Sequence, residues 1–207
     1  MINIILRTSG RPNYFRKCLK SIVEQTYQHY RLWITVDDDY TEQYVKGYGL
    51  NYIKVNKNYP SDMDLKIMED HPGLRYCGYN LYFNQVLDRI REGHIMYLDD
   101  DDMFYDNMSL ETIAENLNGL VLWKVGFPGK TIPEPEYFGK KPEICHISGI
   151  GFAHPVTWRR WDCFNCGDFR FVDKLYGEME PKWIDQVLTK LQVEPGFGGC
   201  KDIQKED

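Results

Sequence analysis

Short apolar runs alternate with amphipathic stretches through the first half of the chain. Ile2 to Leu6 is apolar at every position but Asn3, the pattern of a strand buried on both faces of a parallel sheet. Beyond the loop Arg7-Thr8-Ser9-Gly10-Arg11-Pro12, residues Phe15, Cys18, Leu19, Ile22 and Val23 recur at helical spacing. With Pro12 suited to a first helical turn, the spacing predicts a helix over 13–26. Tyr30 to Val36 reads as a second strand ending at Asp37-Asp38-Asp39, Thr41 to Tyr48 as a short helix, and Tyr52 to Val55 as a third strand. Residues 56–78 are polar and turn-rich and predict a loop. Tyr79 to Arg91 predicts a helix closed by Gly93; a strand at His94 to Leu98 and a helix over 107–117 follow.

The second half is less regular. Leu120 to Val125 predicts a strand, the proline-rich stretch Phe127 to Pro142 a long loop, and Cys145 to Ala153 a strand or hairpin around Gly149 and Gly151. Trp183, Ile184, Val187, Leu188 and Leu191 fall at helical spacing, so a helix is predicted over 181–192. The tail from Glu194 is Gly-rich, then charged, and is expected to be mobile. Strand and helix alternate without an internal repeat, which predicts one α/β domain with a mostly parallel, Rossmann-like central sheet flanked by helices.

Composition narrows the partners. A length of 207 residues suits one sizeable domain, and 43% hydrophobic residues suffice for a core. The net charge is −6 with no block of Lys and Arg, which argues against duplex nucleic acid, whose phosphates need concentrated positive charge. No apolar stretch reaches the roughly 18–20 residues of a membrane span, and the opening strand is too short for a signal peptide; a cytoplasmic location is expected. The six cysteines are scattered and expected to be free thiols. Cys163-x-x-Cys166 alone has metal-ligand spacing, and a zinc site there would need Cys145 and His146 as further ligands.

The chemistry gathers where strands end. Asp99 to Asp102 form a run of four acids clamped between the apolar strand and Met103-Phe104. Like charges this close repel by about 1 kcal/mol per pair even in water. A divalent cation with oxygen ligands is the natural compensation. Alternate residues of an extended segment share a side, so Asp99 and Asp101 point one way while Asp100 and Asp102 face away or support the turn. The Thr8–Pro12 loop, Asp37-Asp38-Asp39 and this run all follow strands, on the sheet edge where open α/β sheets bind ligands.

Taken together these residues resemble the family 2 nucleotide-sugar glycosyltransferases of GT-A fold. The match lies in Leu6-Arg7-Thr8-Ser9-Gly10-Arg11-Pro12, in Ser21 to Tyr27, in Thr35-Val36-Asp37-Asp38, in Phe83-Asn84 and in Gly93 to Asp102, and it covers residues 2–117. The resemblance implies a single GT-A domain that moves a sugar from a nucleotide-diphosphate donor, a UDP-sugar, to an acceptor hydroxyl with inversion. Residues 1–117 would bind the nucleotide-sugar and 118–207 the acceptor. By position, Thr8 would lie beside the nucleobase with Arg11 nearby, and Asp38 would accept a hydrogen bond from a uracil-like N3–H, with Asp37 orienting the loop. Asn84 would belong to the donor site, Asp99 would face ribose or sugar, and Asp101 would hold Mn²⁺ or Mg²⁺. Gly10 replaces the family's usual Asn, and Asp39 its usual Gly.

The resemblance places the catalytic base on an acidic residue opening a late helix. Asp185 is the nearest match, with Glu178 and Glu180 as alternatives. His146 and His154 are further metal or phosphate ligands to test, Trp158, Trp161 and Trp183 a sugar platform, and Arg159-Arg160 a diphosphate partner. Two other functions stay open. A nucleotidyltransferase would want a Gly-rich loop after the first strand, where Thr8 to Pro12 has one Gly. A non-catalytic carbohydrate- or Ca²⁺-binding module would also use acids and aromatics. The chain is short for such an enzyme and is expected to be a domain of a larger protein.

Overall fold

Successive residues of the first and fourth strands enter two different cores. Ile4, Leu6, Met96 and Leu98 pack on one face of the sheet with Phe15, Ile22 and Leu110; Ile5, Ile95 and Tyr97 pack on the other with Phe83, Trp161 and Phe171. Side chains alternate across a strand, so a strand covered on both faces reads as an unbroken apolar run. The structure, a computed structural model, describes residues 1–192; the tail expected to be mobile and Cys200 lie outside the described residues.

The elements are β1 (Ile2–Arg7), α1 (Pro12–Val23), β2 (Tyr30–Val36), α2 (Asp39–Gly47), β3 (Tyr52–Lys54), α3 (Asp62–Asp70), a 3-10 turn (Gly78–Asn80), α4 (Leu81–Leu87), β4 (His94–Asp99), β5 (Asp102–Phe104), α5 (Ser109–Glu115), β6 (Leu120–Phe127), β7 (Lys130–Ile132), β8 (Phe152–Pro155), α6 (Gly167–Tyr176) and β9 (Pro181–Leu191). They form one sheet of order β3-β2-β1-β4-β8-β6-β9-β5, with β7 added to β6. β3, β2, β1 and β4 are parallel. β8 joins them antiparallel to the second half, where β9 lies parallel to β6 and closes on β5. The α/β expectation therefore holds, with helices on both sheet faces. In α1 the residues Phe15, Cys18, Leu19 and Ile22 are buried, while Val23, the last of the periodic set, is exposed where the helix ends. Full burial of Phe15 or Ile22 contributes roughly 1.5–3 kcal/mol each. Among the described residues no helix is long and apolar enough to cross a membrane.

Several elements differ from the sequence expectation, among them the short strands β5, at the end of the acidic run, and β7, inside the stretch 127–142 read as a loop. α3 sits in the expected loop, started by a capping box in which the Ser61 side chain and the Asp64 backbone and side chain bond reciprocally. None of its residues is buried, so it leaves no apolar stripe to read. α6 forms over a stretch for which no element was predicted. The largest correction is β9, a strand where a helix over 181–192 was expected. Its pairing with β6 jumps from Trp123↔Ile184 to Lys124↔Val187, so Asp185 and Gln186 are extra residues in a bulge. The bulge resets the alternation and leaves buried Ile184 and Leu188 four apart, which imitates a helical period.

Candidate active site

β1 and β4 run side by side with Arg7 opposite Asp99, and β2 flanks β1 with Thr35 opposite Arg7. Their C-terminal ends therefore coincide, and the residues beyond them share one sheet edge. Arg7 grips Asp99 with a two-point fork: Nε–H donates to Oδ1 at 2.7 Å and Nη2–H to Oδ2 at 2.6 Å. Its Nη1–H donates to the Tyr79 carbonyl at 3.0 Å, and the guanidinium lies 4.6 and 4.7 Å from the Tyr79 and Phe83 ring centres. Arg11 reaches Asp101 through Nη1 at 2.7 Å and also pairs with Asp100. Two arginines thus compensate the acidic run.

The four aspartates have four environments. Asp100 is fully buried and accepts from the Thr8 hydroxyl at 2.7 Å and the Ser9 N–H at 3.2 Å. Burial pushes its carboxyl up to about 7, against the pull of Arg11 and Thr8. Asp102 turns inward to accept the Asp99 N–H at 3.0 Å, and burial, reinforced by Asp101 and Asp99, drives it well above the usual carboxylate range. Asp101 is raised for the same reasons, burial and then the Asp99 charge. Ligand atoms of Asp99, Asp101 and Asp102 lie within 4.8 Å of one another, a hard-oxygen set of the kind that suits Mg²⁺ or Mn²⁺. Gln192 fixes the turn from behind, its amide donating to the carbonyls of Asp100 at 2.8 Å and Asp102 at 3.3 Å.

Two cavities meet at this acidic wall. The larger, about 470 Å³, is lined by Ser9, Arg11, Asp37, Lys57, Tyr59 and Tyr82 among others. The smaller, about 300 Å³, is lined by Phe83, Tyr97, Trp161, Ser148, Asn165 and Asp168 among others. Arg7, Tyr79, Asp99 and Asp101 line both.

Of the residues singled out in the sequence, Arg11, Asp99 and Asp101 lie on this wall. Thr8 turns inward, buried against Asp100 and Tyr44, and Ser9 faces the larger cavity in its place. Asp38 caps α2, accepting the Thr41 N–H at 2.7 Å; those Thr41 bonds overcome burial and hold its carboxyl below the ordinary value. Its neighbour Asp37 is the one that lines the cavity, with Oδ2 accepting from Tyr82 at 3.1 Å. Asn84 clamps α4 to the Trp161 backbone with two bonds of 2.9 Å, a structural use of both its polar atoms. Asp185 does not open a helix: it sits in the β9 bulge, 68% exposed and paired with Lys124, upstream of the strand end that reaches Asp102. Glu178 pairs with Arg159 and, with Glu180, precedes the start of β9, at the opposite end of that strand from the site.

Asp168, in the first turn of α6, is the residue the sequence reading missed. It is half-buried beside the smaller cavity and accepts the Phe169 N–H at 2.8 Å. Burial raises its carboxyl, against hydrogen bonds from the backbone of Phe169, Asp168 and Gly149. The signal was present as Asn165-Cys166-Gly167-Asp168 before buried Phe171, Val172 and Leu175, a polar start to an apolar helical stripe. Among the described residues Cys163, Cys166, Cys145 and His146 do not gather as a metal-ligand set. Cys163 donates its thiol to Asp64 at 3.3 Å and burial pushes it up to about 11, while His146 stacks on Tyr137 and bonds Glu134 at 2.8 Å. His154 is core, bonded to Tyr97 and the Pro155 carbonyl. Trp161 is buried at the smaller cavity, and Trp158 is exposed under Arg159. Arg160 pairs with Asp88.

No family model and no curated protein matches the chain. Solved structures do. TarS 1–349 from S. aureus superposes with a TM-score of 0.67 at 14% identity, covering 92% of this chain and 60% of that one. The same protein in complex with UDP-GlcNAc gives 0.66 at 15% identity, covering 94% of this chain and 59% of that one. The mannosyltransferase PcManGT from Pyrobaculum calidifontis, in complex with GDP-Man and Mn²⁺, gives 0.62 at 12% identity, with 93% and 57% covered. The chain spans about three-fifths of the length of these structures. At these identities the likeness is one of fold: the described chain has the same α/β architecture as these proteins.

Proposed function

We propose that this chain is a metal-dependent glycosyltransferase that moves a sugar from a nucleotide-diphosphate donor to an acceptor hydroxyl. The observation that carries the reading is the wall of Asp99 and Asp101 shared by two cavities, which leaves room for a charged donor on one side and an acceptor on the other. The fold shared with a mannosyltransferase bound to GDP-Man and Mn²⁺ supports it.

The larger cavity takes the nucleotide. Asp37 accepts from the N–H on the pairing edge of the base, a feature of uracil and guanine, and UDP is the leading donor. Lys57 and Arg11 face the same space and balance the diphosphate. The acidic set fits a divalent ion: Asp99 is held by Arg7 and Asp102 by the Asp99 N–H, so Asp101 is the ligand that exchanges Arg11 for Mn²⁺ or Mg²⁺. Such an ion supplies charge neutralisation to the departing diphosphate.

Asp168, rather than Asp185, is the proposed catalytic base. Its carboxylate takes the proton of the acceptor hydroxyl as that oxygen bonds to the anomeric carbon and the bond to the diphosphate breaks, with inversion. Burial raises its basicity toward the working pH, and the backbone N–H groups hold it in place. In this reading residues 1–117 form the donor half, since the larger cavity is lined by residues up to Asp101. The part after 117 contributes the base and one side of the acceptor cavity, whose other side comes from Phe83, Tyr97 and the acidic wall.

A thermal-shift panel of UDP and GDP with and without Mn²⁺ tests the reading. A ligand at about 100 times its Kd stabilises by roughly 2.7 kcal/mol, and that gain should require Mn²⁺ and vanish in Asp101→Asn. Nucleotide stabilisation that ignores both the metal and Asp101, or none at all, would sink it.

A further inference from the structure

We infer that the smaller cavity selects an acceptor whose reacting unit is uncharged, a neutral sugar or polyol hydroxyl rather than a phosphorylated or carboxylated one. The inference rests on the glycosyltransferase reading and names the substrate class of its acceptor side. A volume of about 300 Å³ lies at the small end of ligand cavities and suits one sugar unit.

An anion entering this space would need a cation or a helix start as partner, and both are already engaged. The Trp161 Nε1–H, which has no hydrogen-bond partner among the described residues, is a neutral donor. Among the described residues, Arg7 is the one cation of the lining. Its Nε and Nη2 are bonded to Asp99 and its Nη1 to the Tyr79 carbonyl, and stacking on Tyr79 and Phe83 fixes the plane. The N-terminus of α6 is the second candidate, because the first turn of a helix attracts anions. There Asp168 accepts the Phe169 N–H itself, so the position is filled by the protein's own carboxylate. Arg170, on the same helix, points its Nε back to the Asn165 carbonyl at 3.2 Å. The amide groups of the wall are engaged too: Asn80 Nδ2 donates to the Phe164 carbonyl at 2.9 Å and Asn165 Nδ2 to the Gly73 carbonyl at 3.3 Å.

What remains is carboxylate and aromatic surface. Asp99 and Asp101 line the cavity with Arg7 and the proposed ion as counter-charges, whereas Asp168 lines it with no salt-bridge partner among the described residues. A second anion beside Asp168 is therefore desolvated and repelled. Phe83, Tyr97 and Trp161 offer apolar faces that suit the C–H side of a neutral ring. The larger cavity differs across the same wall, since it adds Arg11 and Lys57. The asymmetry separates the two substrates by charge, an excluding device as much as an attracting one.

The test uses the full chain with Mn²⁺ and UDP-glucose, UDP-GlcNAc or GDP-mannose, and pairs of acceptors differing only in charge. Methyl glucoside against methyl glucuronide and mannose against mannose 6-phosphate are suitable, with nucleoside diphosphate release above the rate to water as the readout. The neutral member of each pair should be used about tenfold better or more. In Ser148→Lys, which adds a cation to the wall, that preference should shrink about tenfold. Equal or better use of the anionic members by the wild type, or an unchanged preference in Ser148→Lys, overturns the inference. A chain that neither binds nor hydrolyses any donor fails at the glycosyltransferase reading instead, a separate result in the same assay.

Discussion

At the scale of single residues, the buried polar groups show how few of the charged or titratable side chains are available for chemistry. His154 is the plainest case. A carbonyl can only accept, so Nδ1–H donates to the Pro155 carbonyl at 2.7 Å and Nε2 accepts from Tyr97 at 2.8 Å. That tautomer has no room for a second proton, and burial lowers the imidazole to about 4. The folded protein then binds fewer protons than the unfolded chain between about pH 4 and 6.5. The stability contribution is fully present above 6.5 and is lost as pH falls through 4, on the order of 3 kcal/mol. His154→Gln should flatten the urea-denaturation stability curve across that window, and an unchanged acid slope would refute the account. Sequence reasoning located the acidic run and Arg11 because charge beside an apolar strand is visible in one dimension. It chose Asp38 over Asp37 because adjacent carboxylates on a loop look alike until a helix start claims one as its cap. Arg7 went unassigned because its partner Asp99 lies ninety-two positions away in sequence.

At the scale of elements, strands of the parallel half were legible, and of the second half β6 was while β7 and β9 were not. β2 occupies the span predicted for it, and β1 and β4, buried on both faces, carry their signature locally. β9 could not be recognised because the bulge at Asp185 and Gln186 is defined only by its pairing with β6. The consequence reached the candidate base: the expected helix pointed to Asp185, whereas the helix that begins beside the smaller cavity is α6. Its start depends on close packing. A Cβ on Gly167 would collide with the Asn80 amide, which is itself bonded to Phe164. Gly167→Ala should therefore cost about 1–3 kcal/mol by urea denaturation and shift Asp168. Transfer should fall by more than nucleotide binding does. Equal loss of both, or of neither, would mean that α6 does not position the base.

At the scale of the molecule, the sheet does the organising. Four parallel strands bring Asp37, Arg7 and Asp99 to one edge, and β9 with β5 closes the other side against Asp102. The two cavities are separate spaces that share Arg7, Tyr79, Asp99 and Asp101, and under the proposed division of donor from acceptor three conservative substitutions should behave differently. Asp37→Asn touches the larger cavity alone, so nucleotide affinity should weaken about tenfold or more, as for the loss of a hydrogen bond to a charged group, with stability nearly unchanged. Asp168→Asn touches the smaller cavity alone; it should leave Mn²⁺-dependent nucleotide binding intact and reduce transfer by roughly 10²–10⁴-fold, the usual worth of a general base. Asp99→Asn should damage both functions and the fold, because the half-buried Arg7 loses its counter-charge at a cost of about 1.5–3 kcal/mol, as for a hydrogen bond to a charged group. Calorimetric nucleotide binding, sugar transfer and urea midpoints on the three variants give a pattern that no single shared pocket would produce. If Asp168→Asn weakened nucleotide binding as much as Asp37→Asn, the wall would not divide donor from acceptor. The acidic run would then serve one site rather than the boundary between two.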